Sequence, residues 1–245
     1  MPDNPIHLDV AQGTAEWIEA RLGIPTTSEF KRILTPKGAL SASRKRYLGE
    51  LLAEYCLGHQ VTEFQGNEWM ERGKALEPQA RSAYAIARDS EARSCGIFFS
   101  DDDRLIGASP DFMVGDNGIG ELKCPTAGVH CMYLAEDRVP PEYWMQVQGQ
   151  LWVTGRSWCD FVSYHPDLPP LIVRATPDAA LHNAMREAMI DFLDELLAGR
   201  ERLRNMGAAL ALEDRRPIEA PRDELDDLIR GAAADSHAIA RASTA

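Results

Sequence analysis

The spacing of apolar residues in the first ninety positions predicts a series of helices. Thr14 is a capping residue and Gly23 a stop signal for a first helix. Thr26 and Glu29 stand at capping-box spacing, which predicts a short second helix through residue 34. Residues 68–87 are rich in Ala, Glu and Arg and predict a further helix. Between them, apolar side chains three and four residues apart indicate a helix face, formed by Leu48, Leu51, Leu52, Tyr55 and Cys56.

The pattern changes near Ser94 to short apolar and β-branched runs, which favour strands. Asn117-Gly118 is a strong hairpin signal, because both central positions of such a turn favour positive φ. We expect the runs to pair in sequence as a four-strand meander. The predicted strands are residues 95–99, 105–109, 111–115 and 119–124.

The second half of the chain alternates helix and strand. Pro141 suits a first helical turn, and Gly155 ends the helix that it begins. Two strands and a long helix follow, at residues 159–164, 171–174 and 177–202. This order predicts an α/β fold: a mixed central sheet flanked by helices, with a helical layer at the N-terminus.

Length and composition fit one large domain with an appendage. The chain has 245 residues, of which 44% are apolar and 26% charged, so it can bury a sizeable core. We expect residues 1–203 to form a single domain. Residues 204–245 are rich in Ala, Asp and Arg and contain Pro217 and Pro221, so we expect a C-terminal extension with partial order.

The net charge of −12 argues against binding nucleic acid by bulk charge alone. Residues 21–46 are a local exception, with Glu29 as their one acid. Their basic side chains are Arg21, Lys31, Arg32, Lys37, Arg44, Lys45 and Arg46. Such a segment suits a DNA backbone, and it equally suits a solvated helix face.

The sequence gives no sign of a membrane or secreted protein. It contains no run of about 18 apolar residues, so we expect no membrane span. Its first residues lack the charged and apolar regions of a secretory signal, so we expect a cytoplasmic protein. Five scattered cysteines indicate reduced thiols.

The strongest candidate chemistry lies in Ser109-Pro110-Asp111 and Glu121-Leu122-Lys123. On a strand, Glu121 and Lys123 project from the same face, and the hairpin folds Asp111 back towards them. Carboxylate oxygens suit Mg²⁺, which binds one or two of them and keeps positions for water and phosphate oxygens. Such a cluster fits phosphodiester hydrolysis. A solvated Glu–Lys surface pair is the alternative that the residues alone leave open.

These residues, taken with three other segments, resemble a known family. The spacing of Asp111, Glu121 and Lys123 resembles the restriction-endonuclease-like nuclease superfamily. The surrounding sequence resembles the phage lambda exonuclease, or YqaJ-like viral recombinase, family over roughly residues 10–200. The segments that carry this resemblance, in chain order, are residues 21–23 (Arg-Leu-Gly), 27–29 (Thr-Ser-Glu), 107–111 (Gly-Ala-Ser-Pro-Asp), 121–125 (Glu-Leu-Lys-Cys-Pro), and 145–148 (Met-Gln-Val-Gln) through 151–154 (Leu-Trp-Val-Thr).

The resemblance implies a role for each matching residue. Asp111 and Glu121 would bind metal, together with the main-chain carbonyl of Leu122. Lys123 would position or activate the attacking water, and Glu77 matches a further acid beside the metal. The residues that match a pocket for a DNA 5′-phosphate are Arg21, Ser28, Ser109 and Gln146.

The resemblance also implies an activity. We expect a restriction-endonuclease-like core and a metal-dependent exonuclease that degrades one strand of linear duplex DNA from 5′ to 3′. Two Mg²⁺ ions per site, replaceable by Mn²⁺, would stabilise the attacking and leaving oxygens. We expect the chain to assemble as a ring-shaped homotrimer and to act with a single-strand annealing protein. The alternatives are an endonuclease or an exonuclease of other polarity, and a non-catalytic scaffold that binds DNA ends.

Overall fold

A computed structural model describes residues 5–61, 68–101 and 103–212 of the chain. The strands are β1 (Ile6–Leu8), β2 (Ile97–Phe99), β3 (Gly107–Ala108), β4 (Phe112–Val114), β5 (Gly118–Lys123), β6 (Trp158–Ser163) and β7 (Leu171–Ala175). The helices are α1 (Ala15–Arg21), a 3₁₀ helix (Thr27–Arg32), α2 (Arg44–Leu57), α3 (Glu68–Arg88), α4 (Ala127–Glu136), α5 (Pro141–Thr154) and α6 (Ala179–Asn205). The α/β class is confirmed.

The N-terminal helices form where the pattern predicts them. The hydroxyl of Thr14 accepts a hydrogen bond from the Trp17 N–H at 3.3 Å and caps α1. The predicted short helix is a 3₁₀ helix, and Thr26 makes no side-chain cap bond to it. Gly58, with a φ of 71°, ends α2 in the left-handed conformation that glycine adopts without strain.

The expected four-strand meander is wrong, because the strands divide between two sheets. β2 pairs with β1 and β3 in one antiparallel sheet, whereas β4 and β5 belong to a second sheet. Pro110 stands at the division and has no N–H to donate to a ladder. The Pro110 carbonyl accepts hydrogen bonds from the Gln12 side chain at 2.7 Å and from the Cys95 thiol at 3.1 Å.

The second sheet has the order β4-β5-β6-β7 and is mixed. β5 and β6 run parallel, and the crossover between them contains α4 and α5. The α3 residue Tyr84 packs with Phe112, Leu122 and Val162 on one face, and α5 and α6 contribute to the core on the other. The predicted mixed sheet flanked by helices is therefore confirmed.

The β4–β5 hairpin differs in its turn from the predicted Asn117-Gly118 type. Val114 pairs with Gly118, so residues 115–117 form the loop, and Gly115 has the positive φ, 51°. Gly118 lies within β5, where an added Cβ would come 2.2 Å from the Trp158 ring. The glycine at 118 is thus needed for the close approach of Trp158.

The end of the described chain packs against α2. Asp178 caps α6 by accepting from the Leu181 N–H at 3.0 Å. After α6 the chain turns back, and the Leu212 N–H donates to the Tyr55 carbonyl at 3.3 Å. Leu212 is buried against Leu22 and Tyr55. The part of the predicted extension that follows, residues 213–245, lies outside the described residues.

No helix in the described ranges is long and apolar enough to cross a membrane. All five cysteines are free thiols.

Candidate functional site

The β4–β5 hairpin places Asp111 beside Glu121. The Asp111 N–H donates to the Gly120 carbonyl at 2.9 Å. Strand pairing begins only at Phe112, so β4 offers no main-chain partner to the Leu122 N–H. The Asp111 carboxylate accepts from that N–H instead, at 2.5 Å. The side chain is therefore fixed at the edge of β5, as the predicted convergence requires.

Glu121 is almost completely buried, with 1% of its surface exposed, and three donors surround it. Its Oε1 accepts from Lys123 Nζ at 2.5 Å and from Gln146 Nε2 at 2.7 Å. Its Oε2 accepts from Gln150 Nε2 at 2.6 Å. A buried carboxylate needs such partners, because burial without hydrogen bonds costs several kcal/mol.

The carboxylates and the lysine perturb each other strongly. Burial, and then the neighbouring Glu121, hold the pKa of Asp111 well above its usual range. Burial lowers the pKa of Lys123, but the attraction of Glu121 and Asp111 outweighs it and leaves that pKa raised. Two acids and one ammonium thus share a site in which Glu121 is buried and Lys123 is partly exposed.

Glu77 lies on α3, close enough to Lys123 and Asp111 for their charges to interact. Burial raises the pKa of Glu77, and the nearby Lys123 partly offsets this. The charge of Glu77 in turn contributes to the raised pKa of Asp111. Arg72 of the same helix donates to the carbonyls of Cys124 and Pro125, at 3.3 and 3.2 Å, and ties α3 to the end of β5.

The oxygen groups at this edge suit a divalent cation. Asp111 and Glu121 supply carboxylates, and the repulsion between them is what a bound cation would relieve. In the described part of the chain, no group of three or more His, Cys, Asp and Glu side chains forms a metal site by itself. A divalent cation such as Mg²⁺ commonly binds only one or two carboxylates, and water and substrate phosphates complete its coordination.

A second polar cluster lies beside the carboxylates, around Arg21. Arg21 Nη1 donates to Ser109 Oγ at 3.1 Å, and Nη2 to Thr26 Oγ1 at 3.4 Å. Thr26 Oγ1 lies 3.4 Å from Ser28 Oγ. Trp17 Nε1 also donates to Ser109 Oγ at 3.1 Å, and its ring lies 4.2 Å from the guanidinium of Arg21. The structure therefore brings together three of the four residues predicted for the phosphate pocket.

This cluster adjoins the carboxylate site, because Ser109 is two residues from Asp111. Burial lowers the pKa of Arg21, and Glu121 is among the acids that oppose this effect. Gln146, the fourth residue predicted for the pocket, instead contacts Glu121.

Sequence reasoning missed Gln150, Trp17 and Thr26. Gln150 follows Gln146 by four residues, so the two share a helix face, and that spacing was the available signal. Gln148 lies between them in the sequence, but its side chain has different hydrogen-bond partners. It donates to the Thr176 carbonyl at 3.0 Å and accepts from the Asp178 N–H at 2.8 Å.

Several basic residues of segment 21–46 are held in ion pairs. Arg32 pairs with Glu50 at 2.7 Å, and Arg46 pairs with the same carboxylate at 3.0 Å. Arg44 pairs with Glu195 of α6 at 2.8 Å. These contacts join the 3₁₀ helix, α2 and α6 to each other.

Comparisons with known proteins agree on the family. Residues 16–157 match the model of the YqaJ-like viral recombinase domain. The alkaline exonuclease LHK-Exo from Laribacter hongkongensis is 37% identical, with a TM-score of 0.71 over 80% of this chain and 98% of that one. The same figures hold for LHK-Exo in complex with dAMP.

A more distant structure shares the fold. A phage-related exonuclease from Haemophilus somnus 129PT is 18% identical, with a TM-score of 0.56 over 75% of this chain and 96% of that one. No curated protein matches the sequence. The fold is restriction-endonuclease-like, the protein is a nuclease, and the chain belongs to the YqaJ-like viral recombinase family.

Proposed function

We propose that the protein is a Mg²⁺-dependent exonuclease that degrades one strand of linear duplex DNA from 5′ to 3′ and leaves 3′ single-stranded overhangs. Its family makes it a DNA exonuclease that uses divalent metal ions. The observation that carries the finer proposal is the contact of Arg21 with Ser109, two residues from Asp111. An anion held by this cluster would lie next to the carboxylates.

Asp111, Glu121 and the Leu122 carbonyl are the proposed metal ligands, with Glu77 as an additional acid. A divalent ion there would supply positive charge to polarise the phosphodiester and to lower the pKa of a bound water. Lys123 holds the Glu121 carboxylate and carries its ammonium at the same edge. We assign it to orienting the attacking water and offsetting negative charge in the transition state.

The Arg21 cluster is the proposed pocket for the terminal 5′-phosphate. A guanidinium supplies two directed charged donors, and the hydroxyls of Ser28 and Ser109 supply neutral ones. Gln146 is half-buried and donates to Glu121, and we assign its amide to the phosphate as well. Recognition of a 5′-phosphate beside the metal ligands supports the 5′ to 3′ direction.

For the organisation of the protein we propose a nuclease domain of residues 1–203 with a C-terminal extension. We propose a ring-shaped homotrimer that acts with a single-strand annealing protein, two Mg²⁺ ions per site and partial replacement by Mn²⁺. Sedimentation equilibrium of the full chain tests the assembly: a mass three times 27.2 kDa is expected. A monomer or dimer would overturn it.

The activity is tested with linear duplex DNA labelled at one 5′ end, with or without a 5′-phosphate, beside closed circular DNA. With Mg²⁺, we expect rapid release of labelled mononucleotide from the phosphorylated linear DNA alone. Nicking of the circle would make the protein an endonuclease. Release from the 3′ end would reverse the polarity. No cleavage with either Mg²⁺ or Mn²⁺ would favour a non-catalytic protein that binds DNA ends.

A further inference from the structure

Two glutamines of α5 contact Glu121, and they differ in burial. Gln150 is completely buried and donates to Glu121 Oε2 at 2.6 Å. Gln146 is partly exposed and donates to Oε1 at 2.7 Å, the oxygen that Lys123 also contacts. The buried glutamine therefore has Oε2 to itself among the described residues.

The orientation of the Gln150 amide is determined by its neighbours. A carboxylate is only an acceptor, so the NH₂ group of Gln150 must face Glu121. Its carbonyl oxygen then faces Cys159 Sγ, a donor at 3.9 Å. Cys159 lies on β6 next to Ile119 of β5, so the amide is held between the helix and the sheet.

The lone-pair positions on the Glu121 carboxylate indicate the role of its contact with Gln150. A carboxylate offers about four lone-pair positions, and Lys123 and Gln146 use two on Oε1. Gln150 uses one on Oε2 and leaves the other open. Because Gln150 is enclosed, it cannot leave Glu121 when substrate arrives, whereas Gln146 and Lys123 lie at the accessible side. Gln150 is thus the fixed restraint on the plane of the carboxylate.

We propose that Gln150 is a positioning residue that holds Glu121 in the orientation needed to bind a divalent cation. This rests on the proposed role of Glu121 as a metal ligand. The Gln150 amide is neutral, so it restrains the carboxylate without adding a positive charge that would repel the bound metal ion. Hydrogen bonds to metal ligands commonly contribute 10- to 100-fold to metal affinity or activity.

The test compares Gln150→Met with Gln148→Met. Both residues are completely buried in α5, but Gln148 bonds only to main-chain groups of residues 176 and 178. Binding of Mn²⁺ to metal-free protein is followed by electron paramagnetic resonance, without DNA. Gln150→Met should weaken Mn²⁺ binding at least about tenfold and raise the half-saturating Mg²⁺ concentration of cleavage similarly. Gln148→Met should keep the wild-type Mn²⁺ affinity and half-saturating Mg²⁺ concentration, even where it lowers the melting temperature.

Equal Mn²⁺ affinity of Gln150→Met and the wild type would overturn the proposal, as would an equal loss in both variants. If Gln150→Met does not fold, Gln150→Asn replaces it, since its amide is one methylene too short to reach Glu121. The same weaker Mn²⁺ binding is then expected. A wild type that binds Mn²⁺ but cleaves no DNA would refute the proposed function and leave the role of Gln150 measurable.

Discussion

Lys123 is the ammonium in contact with the buried carboxylate Glu121. We predict that Lys123→Ala lowers the cleavage rate at least about 100-fold, the scale of a positioned proton-transfer or charge-stabilising group. Binding to DNA ends without metal should remain, because the Arg21 cluster is unchanged. Digestion rates and fluorescence anisotropy measure the two effects. The exposed Lys45 of α2 is the control, and wild-type turnover of Lys123→Ala would disprove the assigned role.

Arg21 donates to Ser109 and to Thr26 at the proposed phosphate pocket. Hydrogen bonds to charged groups contribute about 1.5–3 kcal/mol, so Arg21→Ala should reduce the preference for 5′-phosphorylated ends by tenfold or more. The rate on ends without phosphate should change little. The ratio of the two rates is the measurement. Arg46→Ala removes the same charge from an ion pair with Glu50 and should keep the ratio.

The convergence of the two carboxylates and the lysine could be predicted because one hairpin holds them. Asp111, Glu121 and Lys123 are close in sequence, and the alternation of a strand puts the last two on one face. Gln150 and Trp17 enter their sites from α5 and α1, and their positions depend on how those helices pack on the sheets. A single sequence records that packing only weakly, so the first group was predicted and the second was not.

At the scale of elements, the start of β5 depends on a glycine. An added Cβ at Gly118 would come 2.2 Å from the Trp158 ring of the neighbouring strand. We predict that Gly118→Ala lowers the free energy of unfolding by about 1–3 kcal/mol, as overpacking of a buried contact does. Urea denaturation measures it.

Gly49 of α2 is the matched control for this change. No atom outside its own helix and neighbours lies within 4 Å of its added Cβ. Gly49→Ala should therefore raise stability by about 0.5–1 kcal/mol, the helix penalty of glycine relative to alanine. A loss of stability at position 49, or none at position 118, would contradict the packing described.

Two elements escaped prediction for physical reasons. β1 has three residues, too few for an alternating pattern to stand out. α4 exposes Val129 and Met132, so its apolar residues are not confined to one face and give no helical period. By contrast, α5 begins at Pro141 and ends at Gly155 as predicted, because both signals act on the local backbone.

At the scale of the whole molecule, an acidic chain must still bind DNA. Its net charge is −12, and Arg32, Arg44 and Arg46 are committed to ion pairs. Arg21 instead donates to Ser109 and Thr26 beside the proposed metal ligands. We therefore expect recognition of a DNA end to depend on local geometry and bound metal rather than on bulk charge.

The stability of the whole molecule should depend on His182 in the first turn of α6. Burial lowers the pKa of His182 to about 4, and a hydrogen bond with the Gln148 main chain only partly offsets this. Its Nε2 is buried with no hydrogen-bond partner in the described structure. The folded protein thus keeps the ring neutral, whereas the unfolded chain takes up a proton near the ordinary pKa of about 6.5.

Because the unfolded state binds more protons between these two pKa values, stability falls as the pH falls from about 6.5 towards 4. Between pH 7.5 and pH 5 this histidine should cost about 2 kcal/mol of the free energy of unfolding. Urea denaturation at the two pH values measures the loss in the wild type and in His182→Gln, whose side chain does not titrate. The variant should lose about 2 kcal/mol less than the wild type over that interval. Carboxylates such as Glu77, whose pKa is raised by burial, act in the opposite direction but contribute equally to both proteins. An identical pH dependence of the two proteins would mean that His182 is already protonated in the folded state at pH 5.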